Sequence, residues 1–383
     1  MRWTRRIAIV AAGAASIATV LGFAAPANAA YDPQALSLPW NPAGPVHSSL
    51  TGNGVVYLGG RLDGTGGIAA IDPATGDLLW TVPTNNDVRA LTLSADGNTL
   101  YAGGKFSAVD GVTHRHLVAI NVADHTVIPN WKAGAAGEVR DLLVYGNDLY
   151  LAGKFTAVGG VPHRGIGAVI AATGKPDPAF TFQADNDVLG LAITGSQLLL
   201  SGSFSHIGSS FRSNLAMIDL STNTLTGWAP PKLCSTCDQY WDVQTDGVNA
   251  YVGTSGFGGF LGAFDLTTAH QPWRLISTDG DVQTLYLAGD GELYFGGHFA
   301  HYVSAFGQGS IDQGVLAAVY TATGRIDTSF RPRIYKTYPG AWAITGTPGK
   351  LWVGGDFGGE GVPNNSGGVR NNQKPFLAAY AAL

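Results

Sequence analysis

One short pattern recurs seven times along the chain: an apolar segment that runs into small residues, glycine above all. It begins at Tyr57, Tyr101, Tyr150, Leu199, Tyr251, Tyr294 and Trp352, with successive copies 44, 49, 49, 52, 43 and 58 residues apart. Self-similarity at a period near fifty is the mark of a repeat architecture. Each copy is then one supersecondary unit that buries its apolar face against the next.

Within a copy the residues read as four strands. In the second copy, residues 87–94 (DVRALTLS) alternate apolar and polar, and Ala95-Asp96-Gly97-Asn98 is a hairpin turn. Residues 99–104 (TLYAGG) form the next strand, and the loop KFSAVDGVTHR leads to a third strand, HLVAINV. A further turn leads to a fourth, TVIPNW. Short strands at regular spacing, joined by Gly, Asp and Asn turns, predict an all-β array. Four-stranded units of this period are propeller blades. No long segment keeps an apolar period of 3.6 residues, so no sizeable helix is expected beyond the N-terminal segment.

An aromatic ring closes each copy: Trp40, Trp80, Trp131, Phe180, Trp228, Trp273 and Phe330. Seven rings at equal phase read as wedges between adjacent blades, not as stacking partners for a cofactor. The last copy supplies only three strands (AWAITG, LWVGGDF and FLAAYAAL), and the missing fourth resembles QALSLPWNP near the front of the chain. The expectation is a single seven-bladed β-propeller of four-stranded antiparallel blades. In it, residues about 34–40 cross the ring and pair with 376–382, completing the blade formed by 341–383. Closure removes two unpaired strand edges, and prolines are tolerated on an outermost strand.

The run Gly103-Gly-Lys-Phe-Ser-Ala-Val-Asp-Gly-Val112, followed by Arg115, the strand Leu117–Ile120 and a closing tryptophan, resembles the Delta-60-type repeat of bacterial secreted β-propellers. The first blade, GGIAAIDPATGDLLW, is similar to the tryptophan-docking repeat of quinoprotein-like propellers. The two resemblances cover essentially all of residues 31–383. They imply architecture and carry no single activity.

Arg2, Arg5 and Arg6, an Ala-rich apolar run and the small-residue site Ala27-Asn28-Ala29 read as a secretory signal peptide over residues 1–29. The expected product is a secreted, extracellular propeller of residues 30–383, without a lipid anchor or membrane span. Loss of three arginines takes the formal net charge from −5 to −8. A nucleic-acid binder needs a cationic surface, which this balance does not supply. Cys234 and Cys237 are the only cysteines. Their spacing also occurs in redox and metal sites, but outside the cell and without a second ligand pair a small-loop disulfide is expected. It stabilises by about 2 kcal/mol at most.

Two groups of residues are candidates for chemistry. The first is acidic: Asp87, Glu138, Asp187, Asp242 and Asp281 stand at the start of strand one in five copies, where sevenfold placement brings them to the channel mouth. They would suit a cation there, or an acid–base pair; equally, each caps its own turn, with Arg89 and Arg140 as counter-charges. No other cofactor is expected. The second group follows from asymmetry. The loop between strands two and three spans 11 positions in copies two to four, 17 in copy six (Phe299–Leu316) and about 20 in copy seven (Phe357–Leu377). It nearly vanishes in copy five, and the connection Trp228–Asp242 is also enlarged. The enlarged loops are expected to border a notch on one face at blades 5–7. There Tyr240, Trp241, His298, His301, Tyr302, Arg331, Tyr335, Tyr338 and Asp356 form the candidate ligand-binding set.

The reading that follows is a non-catalytic, monomeric binding protein for an extracellular carbohydrate, peptide or protein partner. The alternative is a propeller lyase or glycoside hydrolase using the acidic ring with His298 or His301. A quinoprotein dehydrogenase fits less well, because such enzymes have eight blades and adjacent cysteines.

Overall fold

The computed structural model describes residues 31–256, 258–277, 280–299, 302–305, 308–332, 334–335, 340–357, 359–360 and 376–383. Every regular element among them is a strand, and the strands form seven antiparallel blades around a central channel. Blade one shows the plan. Val46–Gly52 is innermost, Val55–Gly60 and Gly67–Ile71 follow, and Leu78–Pro83 is outermost. Val56, Tyr57, Leu58 and Ile68–Ile71 are all buried. Middle strands are covered on both faces by the neighbouring blades, so their sequences are continuous apolar runs and not alternations.

The recurrent double glycine has two separate causes. A Cβ at the first, Gly59 or Gly253, would stand 2.7 Å from Val88 or Val282, the first residue of the next blade's innermost strand. A Cβ at the second, Gly60, Gly104 or Gly297, would strike the carbonyl oxygen of Pro45, Asp87 or Asp281 across its own blade. That close approach marks a register shift. All seven innermost strands carry one, at His47, Arg89, Arg140, Leu189, Trp241, Gln283 and Trp342.

The closing aromatics hold blade to blade. The indole N–H of Trp131 donates to the Ala171 carbonyl at 2.7 Å, that of Trp228 to Asp265 at 3.0 Å and that of Trp273 to Thr321 at 2.7 Å. In each case the acceptor belongs to the following blade. Tyr101, Tyr150, Tyr251 and Tyr294 of the second strands pack their rings on the closing ring of the same blade.

The N-terminal segment closes the ring. Residues Tyr31–Ala35 pair antiparallel with Leu377–Ala382, and the Leu36 N–H donates to the Ala379 carbonyl at 2.8 Å. The paired strand therefore lies a few residues earlier than 34–40. The register shifts between Tyr31 and Ala35, around Pro33, which has no N–H to give. Leu38-Pro39-Trp40 then turns over to blade one. Leu38 is buried, and Leu38 and Pro39 sit within 3.1 Å of a Cβ built at Gly76.

The blade-six loop is an insertion with its own structure. Tyr302–Ala305 and Gly309–Asp312 form a hairpin that adds to the outermost strand of blade five, Trp273–Ser277, making a six-stranded sheet.

Candidate functional site

A β-bulge turns a side chain out of the pleat of its strand. Seven bulges at one level therefore set seven side chains around the channel, near the face from which the innermost strands start. They line a cavity of about 220 Å³ together with Ser48, Ser49, Asp141, Asp242, Gln244 and the leucines at 91, 191 and 285. The ring is unequal. Blades two and three contribute Arg89 and Arg140, blade four contributes Leu189, and blades five to seven contribute Trp241, Gln283 and Trp342.

Trp342 is the hub of the aromatic side. Its ring meets those of Trp241 and His47 edge-on, each at 5.8 Å between centroids, and the Arg89 guanidinium carbon lies 5.7 Å from its centre. Beside it, Gln283 Nε2 is 3.4 Å from His298 Nδ1, and His298 Nδ1 is 3.7 Å from Asp281. Burial raises the Asp281 carboxyl and the His298 charge opposes that rise.

The polar side is a chain of ion pairs. His47 Nδ1 meets Asp87 at 2.7 Å, Asp87 meets Arg89 Nε at 2.7 Å, and Glu138 meets Arg140 Nε at 2.6 Å. Lys105 stands 3.9 Å from Glu138, and Lys154 pairs with Asp187 at 3.1 Å. Burial pushes the His47 imidazole down against the pull of Asp87. Burial alone would raise Asp87; the His47 hydrogen bond, with the charges of His47, Arg89 and Lys105, outweighs it and holds the carboxyl low.

Several expectations change here. Asp87 and Glu138 lie behind the arginines and do not line the cavity; their charge is spent on Arg89, Arg140 and His47. Asp242 is not at the phase of the other four acids. It stands just past the bulge, where blade three has Asp141. These two carboxylates make one recurrent contact. Asp141 accepts from the Leu191 N–H of blade four, and Asp242 from the Leu285 N–H of blade six, both at 2.7 Å. Among the described residues, no group of three or more His, Cys, Asp or Glu is placed to hold a metal ion.

The candidate ligand-binding set divides. Trp241 and His298 come together with Asp281 and Gln283 at the channel, and Asp356 lies within electrostatic reach of His47. Tyr240 does not belong with them. It is fully buried, and its hydroxyl accepts the Leu233 N–H at 2.6 Å. Arg331 is exposed and donates to the Asp312 carbonyl, fastening the blade-six hairpin. Tyr302 and Tyr335 are described in backbone only, and His301 and Tyr338 lie outside the described residues.

At blade five, where a notch was expected, the described residues of the enlarged connection pack inward. Cys234 and Cys237 are disulfide-bonded, and the loop they staple drives Leu233 over Gly262, where a Cβ would meet the leucine side chain. Arg274 holds the loop through the Leu233 carbonyl at 3.0 Å. The blade-six hairpin occupies the blade's outer edge. Asp185, Ser205 and His206 form another polar cluster on the loop-rich face. There the serine hydroxyl and two backbone N–H groups all converge on Asp185. Asn85 does the same for Ser107 and Ala108 in blade two, so this is a loop pin and not a nucleophile with its base.

Sequence reasoning missed His47, Gln283 and Trp342. The signal was present: the paired glycines mark the bulge opposite, and the bulge marks the residue turned into the channel.

No family model and no curated protein matches the sequence. Among solved structures, the WD40 β-propeller domain of Doa1 is similar with a TM-score of 0.58 at 10% identity, over 91% of this chain and 96% of that one. The computationally designed Ika8 protein gives a TM-score of 0.53 at 12% identity, over 91% and 99%. At such identity the likeness concerns the fold alone. No helix among the described residues is long and apolar enough to cross a membrane.

Proposed function

We propose that the chain is a non-catalytic β-propeller that binds an extracellular ligand, a glycan, cell-wall fragment or protein partner, at the blade 5–7 side of its loop-rich face. The channel mouth is the centre of that site. The observation that carries this reading is the ring of bulges, which brings Trp241, Gln283 and Trp342 together with His47 and two arginines around one cavity. Flat apolar rings beside fixed hydrogen-bonding groups suit sugars and peptides. The signal sequence and the Delta-60-type resemblance support a place outside the cell, and the monomer is the expected form.

A hydrolase or lyase keeps one observation in its favour. Asp141 and Asp242 line the cavity, and burial pushes both up to about 7, Asp141 also through the charge of Asp242. Carboxyls so placed could trade protons near neutrality. Each, however, is already tied to a backbone N–H of the next blade.

A glycan and peptide array probed with the mature chain tests the proposal. Binding is expected, to be lost at least tenfold in Trp342→Ala and Trp241→Ala. Hits indifferent to both changes would refute the channel as the site. Cleavage of a bound glycan that disappears in Asp141→Asn would instead establish the enzyme.

A further inference from the structure

Arg89 and Arg140 are 13% and 15% exposed at the side chain and line the cavity. Each meets its carboxylate through Nε at an angle too bent for a hydrogen bond. Among the described residues, no protein group accepts a hydrogen bond from the terminal nitrogens of either one. A guanidinium carries five N–H groups in a rigid plane, and only the Nε atoms of this pair are buried without a hydrogen bond, so the terminal N–H groups stay open to a ligand in the cavity. An oxyanion satisfies two of them at once.

Arg89, Arg140, Lys105 and Lys154 gather beside Asp87, Glu138 and Asp187 on this side of the channel, and Asp141, which shares the cavity lining, is turned to the Leu191 N–H.

We infer that Arg89 and Arg140 form a carboxylate subsite, and that the ligand is an acidic sugar. Its carboxylate takes the unmatched guanidinium N–H groups, and its ring meets Trp342 and Gln283. This rests on the channel being the binding site.

Calorimetric titration of the mature chain with methyl hexuronides of gluco, galacto and manno configuration, their neutral parent glycosides and glucose 6-phosphate tests it. One uronide is expected to bind at least tenfold tighter than its neutral parent, with the difference shrinking as salt rises. Arg89→Gln or Arg140→Gln should bring the two within twofold, with the larger loss falling on the uronide. Because a lone arginine change strands a buried carboxylate, the pair Asp87→Asn with Arg89→Gln serves as the folded control. Equal binding of uronide and parent overturns the carboxylate subsite but leaves the channel as a sugar site. Tighter binding of glucose 6-phosphate replaces the carboxylate with phosphate. No binding of any probe overturns this inference, and the channel reading falls with it if the glycan and peptide array is also blank.

Discussion

Asp141 and Asp242 show how one residue type can tie adjacent innermost strands together at a thermodynamic cost. Both carboxyls are pushed up to about 7, by burial first, whereas an aspartate in an unfolded chain titrates near ~3.9. Between those values the folded chain keeps protons that the unfolded chain has released. Ionising the pair therefore lowers stability as pH rises through that window. His47, pushed down by burial, acts in the opposite sense near its ordinary range. The useful measurement is thus a difference. From pH 5 to pH 8, wild type should lose more melting temperature than the double variant Asp141→Asn/Asp242→Asn, which keeps an acceptor oxygen for each N–H. Parallel behaviour of the two proteins would refute the assignment. At this scale the sequence was only partly legible. It passed over Asp141 and counted Asp242 with the wrong set, because a bulge shifts phase without changing composition. Trp342 looked like any strand residue until its strand was seen to kink.

At the scale of elements, loop length revealed where the repeat departs from itself but not what the departures do. Counting positions from Phe299 to Leu316 finds an insertion; only the tertiary pairing shows it lying along blade five as a hairpin. The enlarged connection between blades four and five is likewise an internal plug. Leu233 is 1% exposed and covers Tyr240 and Gly262. Leu233→Ala should cost roughly 2–4 kcal/mol of stability by the usual toll of a truncated buried leucine. Urea unfolding measures it, and a loss under about 0.5 kcal/mol, the scale of surface substitutions, would show that the loop is peripheral. Arg212, just before the third strand of blade four, fastens its loop by donating to the Thr226 carbonyl.

At the scale of the molecule, the fold was legible almost entirely, because a propeller writes the same packing problem seven times. Spacing gave the blade count, and the orphaned LPW motif gave the closure. What sequence could not supply was the exact strand that pairs, since Pro33, Pro39 and Pro42 are all compatible with an outer edge. Removing residues 30–45 should abolish cooperative unfolding or make the protein associate through the bared edge of Leu377–Ala382. A truncated chain that melts as a monomer with wild-type cooperativity would sink the closure. The same pairing sets an order of events during synthesis. Tyr31 leaves the ribosome among the first residues of the ring, yet its partner Ala382 emerges after all seven blades have been made. Until then the arc has a free flank at each end and must stay soluble while holding its first strand in reserve. The final clasp is a loop closure across nearly the whole chain, a step whose entropy grows only slowly with length but which must wait for the last strand.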